Sequence, residues 1–417
     1  MRVLLASASA GGTLAAVRNL GIHGIDVGVI CSQPLSAAAW SRWVSRSHRV
    51  PLETNSREFL EQLLAIGKAD PGQILLPTSD ETAWLYTINA GVLGKYFQLY
   101  QPPLETIECV LDKKLLEAAA LKAGICTLPS WYPRGSDDIQ ALAPSLPYPI
   151  LIKPRTHVHR LRNDKGMVAN SPTELVQRYF EFIDHEHTDA TDRVPLSDSR
   201  LPMLQQFVRK EGVRSVSGFI DRTGEHFVTR HSTKVFQRSW PVGVGVSFES
   251  LPAISEISDS VRRLCREVGY FGIFEVEFLP FNGSWAIIDF NPRLFNQAWM
   301  DIRRNMPLPL LACLDTVGEA GALRVAVKDA QSEDKSTKMI FYDRFTLGAI
   351  LCALTITGRI SHRERSKWRS WKTQSDTDVI DLAWDAADPM PGVVHAMSEI
   401  YLGLRAFPRF LRSARVG

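Results

Sequence analysis

No apolar run in this chain approaches the roughly 20 residues that a membrane-spanning helix needs. The longest, Leu347 to Ile356, falls well short. The N-terminal Met1-Arg2-Val3-Leu4-Leu5 also reads poorly as a secretion signal, because its apolar core is short and Gly11-Gly12 soon interrupts it. The 6 cysteines (Cys31, Cys109, Cys126, Cys265, Cys313 and Cys352) contain no CxxC pair and no zinc-like spacing. Their scatter excludes a disulfide framework and fits reduced, packed thiols in a cytoplasmic protein. A net charge of only +3 is too small to indicate nucleic acid. The sequence also has no internal repeat, no low-complexity tract and no motif for a nucleophilic serine or cysteine.

What is present is an ordinary globular composition, 45% hydrophobic and 22% charged, over 417 residues. That length is too great for one core and implies two or three domains. The chain opens with strand, glycine turn, helix, strand: Val3 to Ala6, Ser9 to Gly12, Thr13 to Leu20, Asp26 to Ile30. This is a βαβ unit of a parallel sheet. Its glycines are not GxGxxG, and no acidic residue follows Ile30 to hold a ribose, so a dinucleotide site is not expected. A further strand, Gln73 to Pro77, runs into Thr78-Ser79-Asp80-Glu81, polar groups placed either to meet a ligand or to cap the next helix.

Beyond Leu104 the texture changes. Asp112-Lys113-Lys114 opens a strong helix, and Pro149-Ile150-Leu151-Ile152-Lys153-Pro154 is a short buried strand ending on a lysine. Met203 to Phe207 and Ser215 to Ile220 read as strands. Two more, GIFEVEFLP and SWAIIDFNPR, form a hairpin around Phe281-Asn282-Gly283. Alternation puts Glu275 and Glu277 on one face, opposite Phe274, Val276 and Phe278. In the partner strand it puts Asp289, Asn291 and Arg293 opposite Ile288 and Phe290. Pairing then gathers Glu277, Asp289 and Asn291 as hard oxygen donors, the type that holds a divalent ion bridging phosphates.

The ordered set Asp112-Lys113, Ile152-Lys153-Pro154, Gln205-Gln206-Phe207-Val208, Glu277-Phe278 and Asp289-Phe290-Asn291-Pro292-Arg293 resembles the ATP-grasp superfamily, which includes biotin carboxylase and carbamoyl phosphate synthetase. The likeness spans roughly the first three quarters of the chain. It implies an α/β and α+β architecture, with a pre-ATP-grasp Rossmann-like domain over 1–104 and a two-subdomain ATP-grasp domain over 105–320; the remainder, 321–417, reads from its own residues as a helical C-terminal extension. It further implies ATP and Mg²⁺ (Mn²⁺ as a substitute) and small-molecule carboxylate and amine substrates. The implied activity is a ligase that joins a carboxylate to an amine or thiol through an acyl phosphate. The alternatives are a kinase-like phosphotransferase, a bicarbonate-using carboxylase-type enzyme and a non-catalytic nucleotide-binding protein. No specific nucleic-acid partner is expected, and a homodimer is left open.

Residue by residue, the resemblance places Lys113 and Lys153 on phosphate. It puts Gln205, Gln206, Phe207 and Val208 at the adenine hinge, with Glu211 as a candidate for the ribose. Glu277 and Asp289 become the metal carboxylates and Asn291 the amide ligand. Arg293 holds the reacting carboxylate or acyl phosphate, and Lys234, with Arg230, faces the acceptor. Three departures stand out. Many relatives carry glutamate where this chain has Asp289. Relatives carry acidic residues in the hinge, where this chain has Gln205 and Gln206. The segment Arg155 to Gly166 replaces a glycine-rich lid with a basic loop containing Arg160, Arg162 and Lys165.

After Gly321 the chain is not covered by this resemblance. Arg359, Arg363, Arg365, Lys367, Arg369 and Lys372 surround Trp368 and Trp371. The expectation is a solvated helix that packs its tryptophans on the domain beneath.

Overall fold

The computed structural model describes residues 1–158, 166–186, 201–208, 212–238, 243–332, 338–371, 373 and 377–414. The first sheet contains β1 (Arg2–Leu5), β2 (Asp26–Cys31), β3 (Val44–Arg49), β4 (Gln73–Leu76) and β5 (Phe97–Leu99), all parallel, in the order β3-β2-β1-β4-β5. Every residue of β4 is buried, as an apolar run needs when helices cover both faces. Alternation divides β1 between those faces. Val3 and Leu5 join Leu14, Val17 and Leu20 of α1 (Gly11–Ile22), while Leu4 joins Phe59 and Leu63 of α2 (Ser56–Ala69).

Two close approaches position this domain. A side chain at Gly12 would put a Cβ 2.7 Å from the Phe295 carbonyl oxygen, and one at Gly11 would meet Asn296. The glycine pair therefore lets the segment after Arg293 lie directly against the start of α1. At the end of β4, Ser79 caps α3 (Asp80–Ile88) in a capping box with Thr82.

The second sheet is antiparallel, in the order β7-β10-β8-β9. It follows the short β6 (Cys126–Thr127) and consists of β7 (Ser130–Trp131), β8 (Ile150–Lys153), β9 (Met167–Ala169) and β10 (Met203–Gln206). The third sheet has eight strands, in the order β17-β16-β13-β12-β11-β14-β15-β6. Its remaining members are β11 (Arg214–Ile220), β12 (Phe227–Arg238), β13 (Val244–Leu251), β14 (Gly272–Phe281), β15 (Ser284–Asn291), β16 (Lys338–Tyr342) and β17 (Thr377–Asp381).

The β14–β15 hairpin turns at Asn282 (φ 48°) and Gly283 (φ 75°). Two successive positive φ values match the right-handed twist of the flanking strands, and Asn-Gly is the pair that best tolerates them. Glu277 pairs with Asp289 and Glu275 with Asn291, but Phe278 pairs with Ile287. Ile288 is thus the extra residue of a β-bulge. Strict alternation puts Ile288 beside Phe290; instead Ile287 takes the buried place and Ile288 turns to the cleft described below.

The C-terminal stretch is mainly helical (Ala320–Ser332, Arg344–Ile356, His362–Trp371, Met390–Ala414) and also adds β16 and β17 to the third sheet. Trp368 stands edge-on to Phe236 with ring centres 5.0 Å apart, and Trp371 donates to Glu249, so both tryptophans pack on the sheet as expected. Farther on, buried Asp388 accepts from Arg18 Nε at 3.1 Å, Ser41 Oγ at 2.8 Å and the Arg42 amide at 2.9 Å. Arg18 also donates to the Ala383 carbonyl at 2.7 Å. These bonds fasten the C-terminal stretch to the first sheet. Among the described residues no helix is long and apolar enough to cross a membrane.

Candidate active site

A cleft open to solvent lies between the second and third sheets. One wall carries Lys153, Gln205, Gln206, Phe207 and Val208; the other carries Lys234, Glu277, Ile288 and Asp289, with Lys113 and His157 at the margin. The structure therefore brings together both expected phosphate lysines, the hinge and two of the expected metal ligands.

Each cation is held by identifiable neighbours. Asp112 caps the helix Lys113–Lys122, accepting from Lys114 N at 2.8 Å. Arg155 bridges the same buried carboxylate, Nε at 2.8 Å and Nη2 at 2.7 Å. The Lys113 amide donates to the Arg155 carbonyl at 3.0 Å. So anchored, Lys113 Nζ reaches Asp289 Oδ1 at 3.0 Å. Lys153 ends β8 and donates to the Ile288 carbonyl, the bulge residue, at 3.3 Å. The bulge frees a carbonyl that a regular ladder would have occupied.

Lys234, on β12, donates to Glu277 Oε1 at 2.8 Å. Burial lowers the pKa of its ammonium, but the Glu277 carboxylate outweighs burial and holds it above the ordinary value. Arg293 donates through Nε to Asp80 Oδ1 and through Nη2 to Asn291 Oδ1, both at 2.8 Å. Burial opposes its charge and Asp80 supports it, with a net rise. Arg230, read as facing the acceptor, is instead buried and donates to the Arg304 and Ala330 carbonyls at 3.0 and 2.6 Å.

Glu275 was placed on the metal face by alternation, yet no role followed from sequence. It is buried, accepts from Asn291 Nδ2 at 2.5 Å and Gln297 Nε2 at 3.2 Å, and is bonded by Ser215. Burial first, and then Glu277, push its carboxyl well above the usual range. The rise follows from taking a carboxyl out of water beside other carboxylates.

At the hinge, the Gln206 amide donates to Pro129 O at 2.9 Å and the Phe207 amide to Pro149 O at 3.1 Å. Buried Gln205 donates to Ser130 Oγ at 3.2 Å, so its side chain supports the strand junction. Glu211, Arg160, Arg162 and Lys165 lie outside the described residues. His157 was missed as a separate feature; its Nε2 is 4.0 Å from Asp289 Oδ2.

The donor set fits Mg²⁺ of a particular kind. Glu277 and Asp289 stand opposite each other in register. Among the described residues no group of three or more Asp, Glu, His or Cys could hold a metal alone. Two carboxylates suit an ion that completes its shell with water and phosphate oxygens, as Mg²⁺ usually does. Asn291 spends both ends of its amide within the protein, although its oxygen keeps a second lone pair.

No protein-family model matches the sequence, and no curated protein matches it. Solved structures do match in fold. The biotin carboxylase domain of Hydrogenobacter thermophilus 2-oxoglutarate carboxylase, in complex with MgADP, ADP and bicarbonate, has a TM-score of 0.63 at 14% identity over 76% of this chain and 69% of that one. The chain has an ATP-grasp fold. Campylobacter jejuni biotin carboxylase has a TM-score of 0.58 at 16% identity, covering 75% of this chain and 70% of its own. Staphylococcus aureus N5-carboxyaminoimidazole synthetase has a TM-score of 0.56 at 14% identity, covering 76% and 77%. At these identities the likeness establishes the fold, and the chemistry has to be argued from the side chains.

Proposed function

We propose that this protein is an ATP-dependent ligase that joins a carboxylate to an amine through an acyl phosphate. The single observation behind this reading is the meeting of Lys113, Lys153 and Lys234 with Glu277 and Asp289 in one cleft between two sheets. Three ammonium groups suit the charge of a triphosphate, and the two carboxylates suit the ion that accompanies it. We assign 1–104 to substrate handling, 105–320 to nucleotide binding and phosphoryl transfer, and 321–417 to support of both.

In this scheme Lys113 and Lys153 hold the phosphates, and Phe207 and Val208 present the hinge backbone to adenine. Glu277 and Asp289 hold Mg²⁺, with Asn291 as a further ligand through its open lone pair. When bound, the metal neutralises charge on the transferring phosphoryl group. A substrate carboxylate oxygen attacks the γ-phosphorus and ADP leaves. Arg293, already fixed by Asp80 and Asn291, stabilises the acyl phosphate and then the oxyanion formed when the amine adds. That addition forms the C–N bond; collapse of the oxyanion restores the carbonyl, breaks the C–O bond to phosphate and releases inorganic phosphate, with the amine giving up its proton. The pairs Lys113–Asp289 and Lys234–Glu277 must open to admit Mg-ATP, so binding exchanges internal ion pairs for nucleotide ones.

The deciding measurement is ADP release over panels of carboxylates and amines with Mg²⁺, using Glu277→Ala as blank. Release that requires both an acid and an amine supports the reading; ¹⁸O passing from the carboxylate into phosphate establishes the acyl phosphate. Release with a phosphorylated product and no isotope transfer indicates a kinase. Bicarbonate belongs in the acid panel, because the 2-oxoglutarate carboxylase structure similar to this chain holds bicarbonate.

A further inference from the structure

We propose that the carboxyl ends of β1 and β4 hold the ammonium group of the amine substrate, with Glu53 as its counter-ion. This rests on the ligase reading for the reaction, and on a separate set of contacts for the ligand. Open parallel sheets bind ligands beyond the carboxyl ends of their strands, where the strand order reverses. In the order β3-β2-β1-β4-β5 that point lies between β1 and β4.

Four polar residues converge there. Ser7 follows β1, Thr78 and Ser79 follow β4, and Glu53 follows β3. Ser7 Oγ donates to Glu53 Oε1 at 2.5 Å, and Ser79 Oγ donates to the same oxygen at 3.2 Å. Thr78 Oγ1 donates to Ser7 Oγ at 3.1 Å, completing a chain of hydroxyls around one half-buried carboxylate. The Tyr86 hydroxyl is buried without a hydrogen-bond partner. Tyr86 packs in one apolar cluster with Leu4 and Leu75 of β1 and β4 and with Ala6, the neighbour of Ser7; burial first, and the Glu53 charge second, hold its pKa above the ordinary value. A buried hydroxyl left without a partner is costly and is rare in a finished site.

Electrostatics select the class of ligand. Asp80, next in sequence to Ser79, is neutralised by Arg293 at 2.8 Å. Among the described residues no lysine, arginine or histidine forms an ion pair with Glu53, which accepts from the hydroxyls of Ser7 and Ser79. A carboxylate ligand would add to an uncompensated negative charge, and a neutral polyol would leave that charge unpaired. A primary ammonium supplies the missing charge together with three donors. Because Ser79 adjoins the residue that fixes Arg293, an amine bound here stands beside the group assigned to the acyl phosphate.

The test uses the full chain and saturation-transfer NMR with ethanolamine and putrescine as probes, against ethylene glycol and butane-1,4-diol, with and without Mg-ADP. The amines should give signals and the diols none. Glu53→Gln should weaken amine binding about tenfold or more. Ser7→Gly, which accepts the positive φ of 51° at that position, removes one hydroxyl and should weaken it less. Equal signals from amines and diols, no amine signal, or amine affinity unchanged in both variants would overturn the proposal. Mg-ATP affinity of the wild type, read by calorimetry, reports separately on the ligase reading. Nucleotide binding without Glu53-dependent amine binding defeats this inference alone.

Discussion

Lys113 Nζ stands 3.0 Å from Asp289 Oδ1, so the lysine assigned to phosphate is paired with the carboxylate assigned to metal. Both side chains are largely withdrawn from water, at 8% and 16% exposure. The pair keeps two opposite charges compensated until ligands that need each of them arrive together. Lys234 of β12 and Glu277 of β14 repeat the arrangement across the intervening β11.

Removing either of the carboxylates proposed to hold metal should therefore stop chemistry before it disturbs the fold. Glu277→Gln and Asp289→Asn are each expected to lower the rate of ADP release by about 10²-fold or more, since even outer partners of metal ligands cost 10- to 100-fold. Steady-state assays across Mg²⁺ concentrations check this. Turnover within about twofold of wild type in both variants would remove these residues from the mechanism.

Arg293 grips Asp80 and Asn291 with two different nitrogens, a geometry that lysine cannot reproduce. Arg293→Lys should lower kcat about 10²-fold while leaving Mg-ATP affinity close to wild type, because its partners lie away from the hinge. Calorimetry for nucleotide and single-turnover assays for chemistry separate the two effects. A fall in nucleotide affinity with kcat intact would assign Arg293 to ATP instead.

Much of this site is legible in sequence because its signals are local. Asn282-Gly283 announces the hairpin, and alternation sets Glu277 and Asp289 against Phe278 and Phe290. The apolar run of β8 delivers Lys153 to a strand end. The missed features depend on residues far apart in the chain. The bulge at Ile288 needs both strands to be seen at once. Arg155 reads as part of a basic loop, yet it is buried against Asp112, 43 positions earlier in the chain. Asp80 and Arg293, and likewise Arg18 and Asp388, meet only through the tertiary fold. No period of 2 or 3.6 residues encodes such partners.

His231 is fully buried, with Nδ1 3.1 Å from Arg214 Nη1 and Nε2 2.9 Å from Ser258 Oγ. Burial first, and then Arg214 and Arg304, lower its pKa to about 3. Above the unfolded value of 6.5 neither state binds the proton, and stability is at its full value. Between 6.5 and about 3 the unfolded chain binds the proton and the native one does not, so stability falls as pH falls. The slope from this group is about 1.4 kcal/mol per pH unit once well below 6.5. Urea midpoints at pH 7 and pH 5 should diverge in the wild type and converge in His231→Gln; equal divergence in both would refute the assignment.

Arg18 and Asp388 form an ion pair with side chains only 2% and 3% exposed. Asp388→Ala strands a buried guanidinium and should cost about 3–5 kcal/mol. The double variant Arg18→Met/Asp388→Leu removes both charges and should recover most of that loss. Urea unfolding followed by tryptophan fluorescence measures both. A single variant as stable as wild type would show the pair to be dispensable.

That same pair sets the order of events as the chain is made. Residues 1–104 contain all five strands of the first sheet and would ordinarily fold as soon as they leave the ribosome. Until Asp388 emerges, however, the nascent sheet carries an arginine on its inner helix with no counter-charge. The helix that carries Arg18 therefore waits on a carboxylate 370 positions downstream to reach its finished state.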